Sequence, residues 1–158
     1  MMRHLEELNI NHGGQRVTRE PPSDAAISAF EPGVGLKIPD QLLDLLRFSN
    51  GGHPELDSYN PSGTEDVDSF GINTFYFLTE DQQAPYGLWE AMRVWRPYIG
   101  QQALPFAEDG GGNILFLDLS TEPASVKVCW HDENFRIGQM APSLEKLIDG
   151  LCSNPDYI

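Results

Sequence analysis

Cysteine is scarce in this sequence. Cys129 and Cys152 are the two among 158 residues, which gives no disulfide framework and predicts buried, reduced thiols. Long apolar runs are missing as well, since no stretch approaches the roughly 18 residues that mark a membrane span. The opening MMRHLEELNINHGGQRVTRE has no apolar segment flanked by a basic region, so it does not read as a signal peptide. These absences lead to the expectation of a cytoplasmic protein with no membrane partner. Basic residues are the third shortage. Ten lysines and arginines stand against 24 acids, a formal net charge of −14, beyond the magnitude of about 2–8 usual for a small soluble domain. Between Arg47 and Arg93 there is no lysine or arginine, while Glu55, Asp57, Glu65, Asp66, Asp68, Glu80, Asp81 and Glu90 all fall there. Such a field repels nucleic acid and attracts basic proteins or cations. It also fits a solvated, solubilising face.

The length suits one domain with a core of its own. Residues 1–21 read as an N-terminal arm, loosely attached, with Leu5 and Leu8 in a short helix that Gly13-Gly14 interrupts. Residues 22–158 read as the domain proper. Ser23 or Asp24 caps a first helix through Phe30, which Pro32 and Gly33 are expected to end. A second helix follows Pro39, shows an apolar face at Leu42, Leu43, Leu45, Leu46 and Phe48, and stops at Asn50-Gly51-Gly52. The stretch from Gly52 to Gly71 reads as a long acidic loop, and NTFYFLTE (73–80) as an aromatic strand. Leu88, Met92, Trp95 and Ile99 then return at helical spacing, with regular helix expected to end near Arg96 because Pro97 follows. Three strands come next, at 104–107, 113–119 and 125–131. The middle one is apolar on both faces, as a covered central strand should be, and the third has one clear core face at Val126, Val128 and Trp130. Connections this short require antiparallel neighbours. Ser143 caps a last helix with a stripe at Leu144, Leu147, Ile148 and Leu151. The sum is an α+β fold: an antiparallel meander flanked by N-terminal, middle and C-terminal helices.

The segment LPFAEDGGGNILFLDLS (104–120) offers the strongest hint of a ligand site. A phosphate loop needs a lysine followed by Ser or Thr, and a dinucleotide fingerprint opens a helix; here Leu115 lies three residues beyond Gly112 and a strand follows. A calcium loop fails because Ile114 stands where the sharp-turn glycine belongs. What remains is a hairpin turn between strands. If Gly111 holds positive φ, its replacement by alanine is expected to lower stability by about 1 kcal/mol or more. His4, His12, His53 and His131 show no metal-ligand spacing, and WHDEN (130–134) reads as a strand end running into a polar turn. No nucleophile elbow or activated cysteine is present. The expectation is a non-enzyme with no catalytic residue, metal or cofactor.

LKIPDQLLDLLRFSNGG, LPFAEDGGGNILFLDLS, VKVCWHDEN and MAPSLEKLIDGL, in that order, resemble the SUKH superfamily. That group includes the fungal cell-wall-assembly regulator, of SMI/KNR type, and many bacterial toxin-immunity proteins. The resemblance covers roughly residues 22–152. It rests on Leu36, Ile38, Pro39 and Asn50-Gly51-Gly52, on Ala107, Asp109, Gly110-Gly111-Gly112 and Asn113, and on Ser143, Leu144, Leu147 and Ile148. It implies an α+β binding domain whose bacterial members neutralise a cognate toxin, often a nuclease. The charge points the same way, because a nuclease holds phosphates with basic residues that an acidic domain complements. The expected partner is a basic toxin domain, and the candidate contacts are Glu65, Asp66, Asp68, Glu80 and Asp81, then Glu108 and Asp109. An intracellular scaffold or regulator with no toxin partner is the alternative.

Overall fold

The computed structural model describes residues 2–61 and 69–153. Gly13 and Gly14, both at positive φ, fold the N-terminal segment into a hairpin of β1 (Ile10–His12) and β2 (Gln15–Arg16). This segment is not loosely attached. Leu8 is fully buried, and β1 pairs antiparallel with β3 (His53–Pro54) to make a three-stranded sheet. Arg3 reaches across to the far end of the chain and donates to the carbonyls of Ile148 and Leu151 at 3.2 and 2.8 Å. These belong to the end of the last helix, where a cation also meets the negative pole of the dipole.

α1 (Asp24–Val34) begins at Ser23, whose Oγ accepts the Ala26 amide at 3.0 Å. It runs through Pro32 to Gly35 rather than stopping at Pro32. Proline there removes only the donor to the Ser28 carbonyl, and Ser28 is exposed, so water can replace that donor. α2 (Asp40–Phe48) buries Leu42, Leu45 and Leu46 and leaves Phe48 exposed. Two short strands, β4 (Ser58–Tyr59) and β5 (Phe70–Gly71), pair with each other, and β6 (Thr74–Phe75) opens the main sheet.

The aromatic strand expected over 73–80 is thus cut to two residues. Its continuation bonds elsewhere: the Phe77 amide donates to Tyr86 O at 3.1 Å, and the Phe77 carbonyl accepts the Leu88 amide at 2.8 Å. Leu78 is held by Asn50, whose Oδ1 accepts the Leu78 amide and whose Nδ2 donates to the Leu78 carbonyl, each at 2.9 Å. The asparagine side chain therefore imitates a strand partner inside the core. Gly52 beside it must be glycine. Its φ is +109°, and a Cβ would lie 2.6 Å from Val17 Cγ2 and 2.7 Å from Ile10 Cγ2.

α3 (Leu88–Ile99) also extends past its proline, because the Arg93 carbonyl that Pro97 leaves without a donor lies on an exposed turn. β7 (Ala103–Glu108), β8 (Ile114–Asp118), β9 (Ser125–Trp130) and β10 (Arg136–Ala141) follow, and α4 (Leu144–Gly150) closes the fold with Ser143 Oγ accepting the Lys146 amide at 3.1 Å. The main sheet has the order β10-β9-β8-β7-β6, antiparallel throughout. β8 is its centre, with Ile114, Leu115, Phe116 and Leu117 all buried, as two-faced apolarity requires. β9 is better covered than its alternation suggests, since Cys129 is buried along with Val126, Val128 and Trp130. Burial pushes the Cys129 thiol pKa up, whereas Cys152 is exposed, contrary to expectation.

Candidate protein-binding site

The glycine run closes the β7–β8 hairpin, and the side chains of Asp109 and Asn113 bond within it. Asp109 Oδ1 accepts the amides of Gly111 and Asn113, both at 2.8 Å, and its Oδ2 accepts Asn113 Nδ2 at 2.9 Å. Because a carboxylate only accepts here, the Asn113 amide group is oriented with Oδ1 free for other donors. That oxygen takes the His131 amide at 2.9 Å and the His131 Nδ1 at 2.8 Å, which puts the imidazole proton on Nδ1. The Asp-Gly-Gly-Gly-Asn sequence thus ties the start of β8 to the end of β9. Positive φ falls on Gly112, at +91°, and not on Gly111. A Cβ on Gly111 would meet nothing nearer than Asp109 Oδ1 at 3.6 Å, whereas one on Gly112 would lie 3.2 Å from the His131 ring. The stability cost expected for Gly111→Ala therefore belongs to Gly112.

Beside this turn lies a cleft of about 300 Å³ lined by Tyr76, Tyr86, Glu90, Trp95, Glu108 and Ile114, among others. Its floor follows from strand register, since directly paired residues point to the same sheet face. Thr74 pairs with Glu108, Glu108 with Ile114, Ile114 with Cys129, and Cys129 with Ile137. One row of side chains thus crosses all five strands on the side that α3 covers. A larger groove of about 670 Å³ runs between segment 35–41 and the turn at 121–124. It mixes Lys37 with Asp40 and Glu122 and has no aromatic ring in its lining, so it presents neither one sign of charge nor a stacking surface.

The electrostatics of the α3 cleft are one-sided. Tyr76 is buried and its hydroxyl donates to the Glu108 carboxylate. Burial, then the neighbouring charges of Asp109 and Glu90, hold the Glu108 carboxyl above the ordinary range, against the pull of the Tyr76 hydrogen bond. Among the described residues ion pairs join Arg3 to Glu7, Lys127 to Asp118 and Arg136 to Glu133. None of them involves Glu90, Glu108 or Asp109.

A raised folded-state pKa means that the native protein holds the Glu108 proton more tightly than the unfolded chain. Stability then falls as pH rises from the ordinary carboxyl value through the raised one, and the deficit persists at neutral pH. Glu108→Gln keeps an acceptor for Tyr76 and removes the charge. It is expected to melt higher than the wild type at pH 7, with the difference vanishing below about pH 4, where both forms are neutral. A variant melting below the wild type at neutral pH would contradict this electrostatic picture.

Of the residues singled out in the sequence, Glu108 and Asp109 fall together at this turn, and Glu108 lines the cleft. Glu80 and Asp81 are exposed in the turn before α3 and do not line it; Asp81 Oδ1 accepts the Gln83 amide at 2.9 Å. Glu65, Asp66 and Asp68 lie outside the described residues. Glu90 was passed over as a binding residue, as were Val94 and Tyr98, although 90, 94 and 98 recur at i, i+4 and i+8. That spacing marks a second stripe on α3, off the core face.

The molecule is an α+β domain built on a five-stranded antiparallel sheet, with an acidic, aromatic cleft on its α3 side. The model of the SMI1 / KNR4 family (SUKH-1) matches residues 21–150, and the chain belongs to that family. Members of the family are generally non-catalytic binding or immunity proteins. No curated protein matches the sequence significantly. The matched span begins after the β1–β2 hairpin, so the docked N-terminal segment lies outside it. Among the described residues no helix is long and apolar enough to cross a membrane.

Proposed function

We propose that the chain is a cytoplasmic immunity protein that binds and neutralises a basic toxin domain, with a nuclease the best-matched class, and that it catalyses no reaction itself. The observation that carries this reading is the net charge of −14 on a domain of a family of binding and immunity proteins. A toxin that holds nucleic acid presents a basic surface, and an acidic domain occupies that surface in competition with the phosphates. Carboxylates that no lysine or arginine pairs among the described residues, such as Glu90 and Glu108 beside the Asp109 turn, suit this role because no such ion pair has to be broken first.

The reading expects a large secreted toxin to be encoded immediately upstream of this chain, and protection of cells expressing that neighbouring toxin domain tests it. Reversal of Glu65, Asp66, Asp68, Glu80 and Asp81 to lysine is expected to weaken protection while leaving the melting temperature nearly unchanged. Glu108 and Asp109 form the second group; Asp109→Lys also removes three hydrogen bonds of the β7–β8 turn, so the Glu108 reversal is the one that reads binding. Full protection by a folded five-site variant would show that the acidic stretch is solubilising only. If the wild type gives no protection, the family's scaffold or regulatory role is the better reading.

A further inference from the structure

Among the described residues five large apolar side chains are strongly exposed: Tyr86 at 53%, Val94 at 52%, Tyr98 at 47%, Ile137 at 44% and Phe48 at 43%. Phe48 ends α2. The other four share the α3 side of the main sheet. Tyr86 and Val94 line the acidic cleft. Tyr98 stacks on Phe135 with ring centroids 3.7 Å apart, and Trp95 meets both rings edge-on at 6.2 Å. Ile137 belongs to the row that passes through Ile114 to Glu108. Phe135 and Tyr86 both hold positive φ, at 57° and 66°, a conformation that bulky residues rarely adopt. Scattered exposed apolar residues need no explanation, but several gathered on one face around a charged cleft mark a contact surface.

We propose that this face docks a basic protein, with an arginine side chain of the partner seated in the cleft between Glu90 and Glu108. The surrounding contact falls on Val94, Tyr98, Phe135 and Ile137. The inference rests on the reading that the chain binds a basic protein, and it moves the centre of that contact from the acidic loop to α3. Charge complementarity selects the occupant: Glu90 and Glu108 line the cleft, Asp109 adds its charge beside them, and no lysine or arginine pairs with any of the three among the described residues. Aromatic rings select the kind of cation. A planar guanidinium forms paired hydrogen bonds with a carboxylate and lies against rings such as Tyr86 and Trp95, which a compact ammonium does less well. The apolar rim supplies the desolvated surround that makes such a charge contact strong.

The test uses an N-acetylated, amidated tetra-arginine peptide titrated into the ¹⁵N-labelled full chain. Amide shifts are expected to concentrate at Tyr86, Glu90, Val94, Glu108, Gly112 and Ile137. The tetra-lysine peptide should bind more weakly, and Glu90→Gln with Glu108→Gln should weaken arginine-peptide binding about tenfold or more. Absence of binding, shifts centred on 80–83 or spread over the surface, equal binding of the lysine peptide, or an unaffected double variant would each overturn the proposal.

A second measurement separates this failure from that of the underlying reading. Val94→Ser, Tyr98→Ser and Ile137→Ser combined should abolish protection against the neighbouring toxin while the chain stays folded, its melting temperature lowered only by the loss of the Tyr98–Phe135 stack, and Phe48→Ser should protect fully. Protection retained by the triple variant would displace the docking face and leave the immunity reading standing. Lack of protection by the wild type would remove the immunity reading, and the peptide result would still decide the face.

Discussion

Asn50→Ala is expected to lower the free energy of unfolding by about 3 kcal/mol, because two buried backbone groups lose their partners at once. Asn50 is 1% exposed and Leu78 is fully buried. The asparagine supplies an acceptor to the Leu78 amide and a donor to the Leu78 carbonyl, and its Nδ2 also donates to Glu20 O at 2.9 Å. Alanine leaves all three backbone groups without that partner. Against a total stability of about 5–15 kcal/mol this is a large fraction. It corresponds to a fall in melting temperature of roughly 6–12 °C. Denaturant melts are the check, with the midpoint shifted and the slope unchanged. The Leu78 amide should also exchange faster with solvent, because Asn50 Oδ1 is its acceptor. A loss below about 1 kcal/mol would mean that the Asn50–Leu78 pairing contributes no more than an ordinary exposed hydrogen bond.

This asparagine shows what was legible in the sequence and what was not. Asn50-Gly51-Gly52 marked the end of α2 to within two residues, but the helix itself stops at Ser49, which is extended at φ −148° and ψ 115°, and the positive φ of Gly51 and Gly52 turns the chain after that stop. That the asparagine side chain then pairs with Leu78, 28 residues onward, is a tertiary fact with no local trace. The same division runs through the fold. Ser23 and Ser143 revealed their helix starts, and the apolar run at 114–117 revealed the central strand. β10 went unread because Arg136-Ile137-Gly138-Gln139 is an edge with exposed Ile137 and a glycine at its centre, so neither alternation nor propensity marks it. The two prolines misled in the opposite direction, since each sits near its helix's end, where an exposed carbonyl tolerates the lost donor.

The candidate site divides in the same way. Glu108 and Asp109 stood out beside the glycines, whereas Glu90 joins them only because α3 packs over β7, and Ile137 only because strand register carries the row across to β10. The histidine of WHDEN, expected as part of a polar turn at a strand end, proves to be an anchor for Asn113. Charge was the signal visible from the start, but charge alone does not say which face meets a partner.

The largest functional effect expected is on the rate at which that partner is captured. A domain of net charge −14 facing a basic surface steers encounter over distances comparable to the Debye length, about 10 Å at 0.1 M salt and about 3 Å at 1 M. Such steering raises association rates by roughly 10- to 1,000-fold and is lost as salt is added. Dissociation depends instead on the contacts that are desolvated at the interface and changes less. Stopped-flow association of the full chain with the neighbouring toxin domain, made catalytically inactive, measures this directly across a salt series. Acidic-surface recognition predicts that the association rate falls at least about tenfold from low to high salt, with a much smaller change in dissociation. An association rate independent of salt, or no complex at low salt, would contradict it.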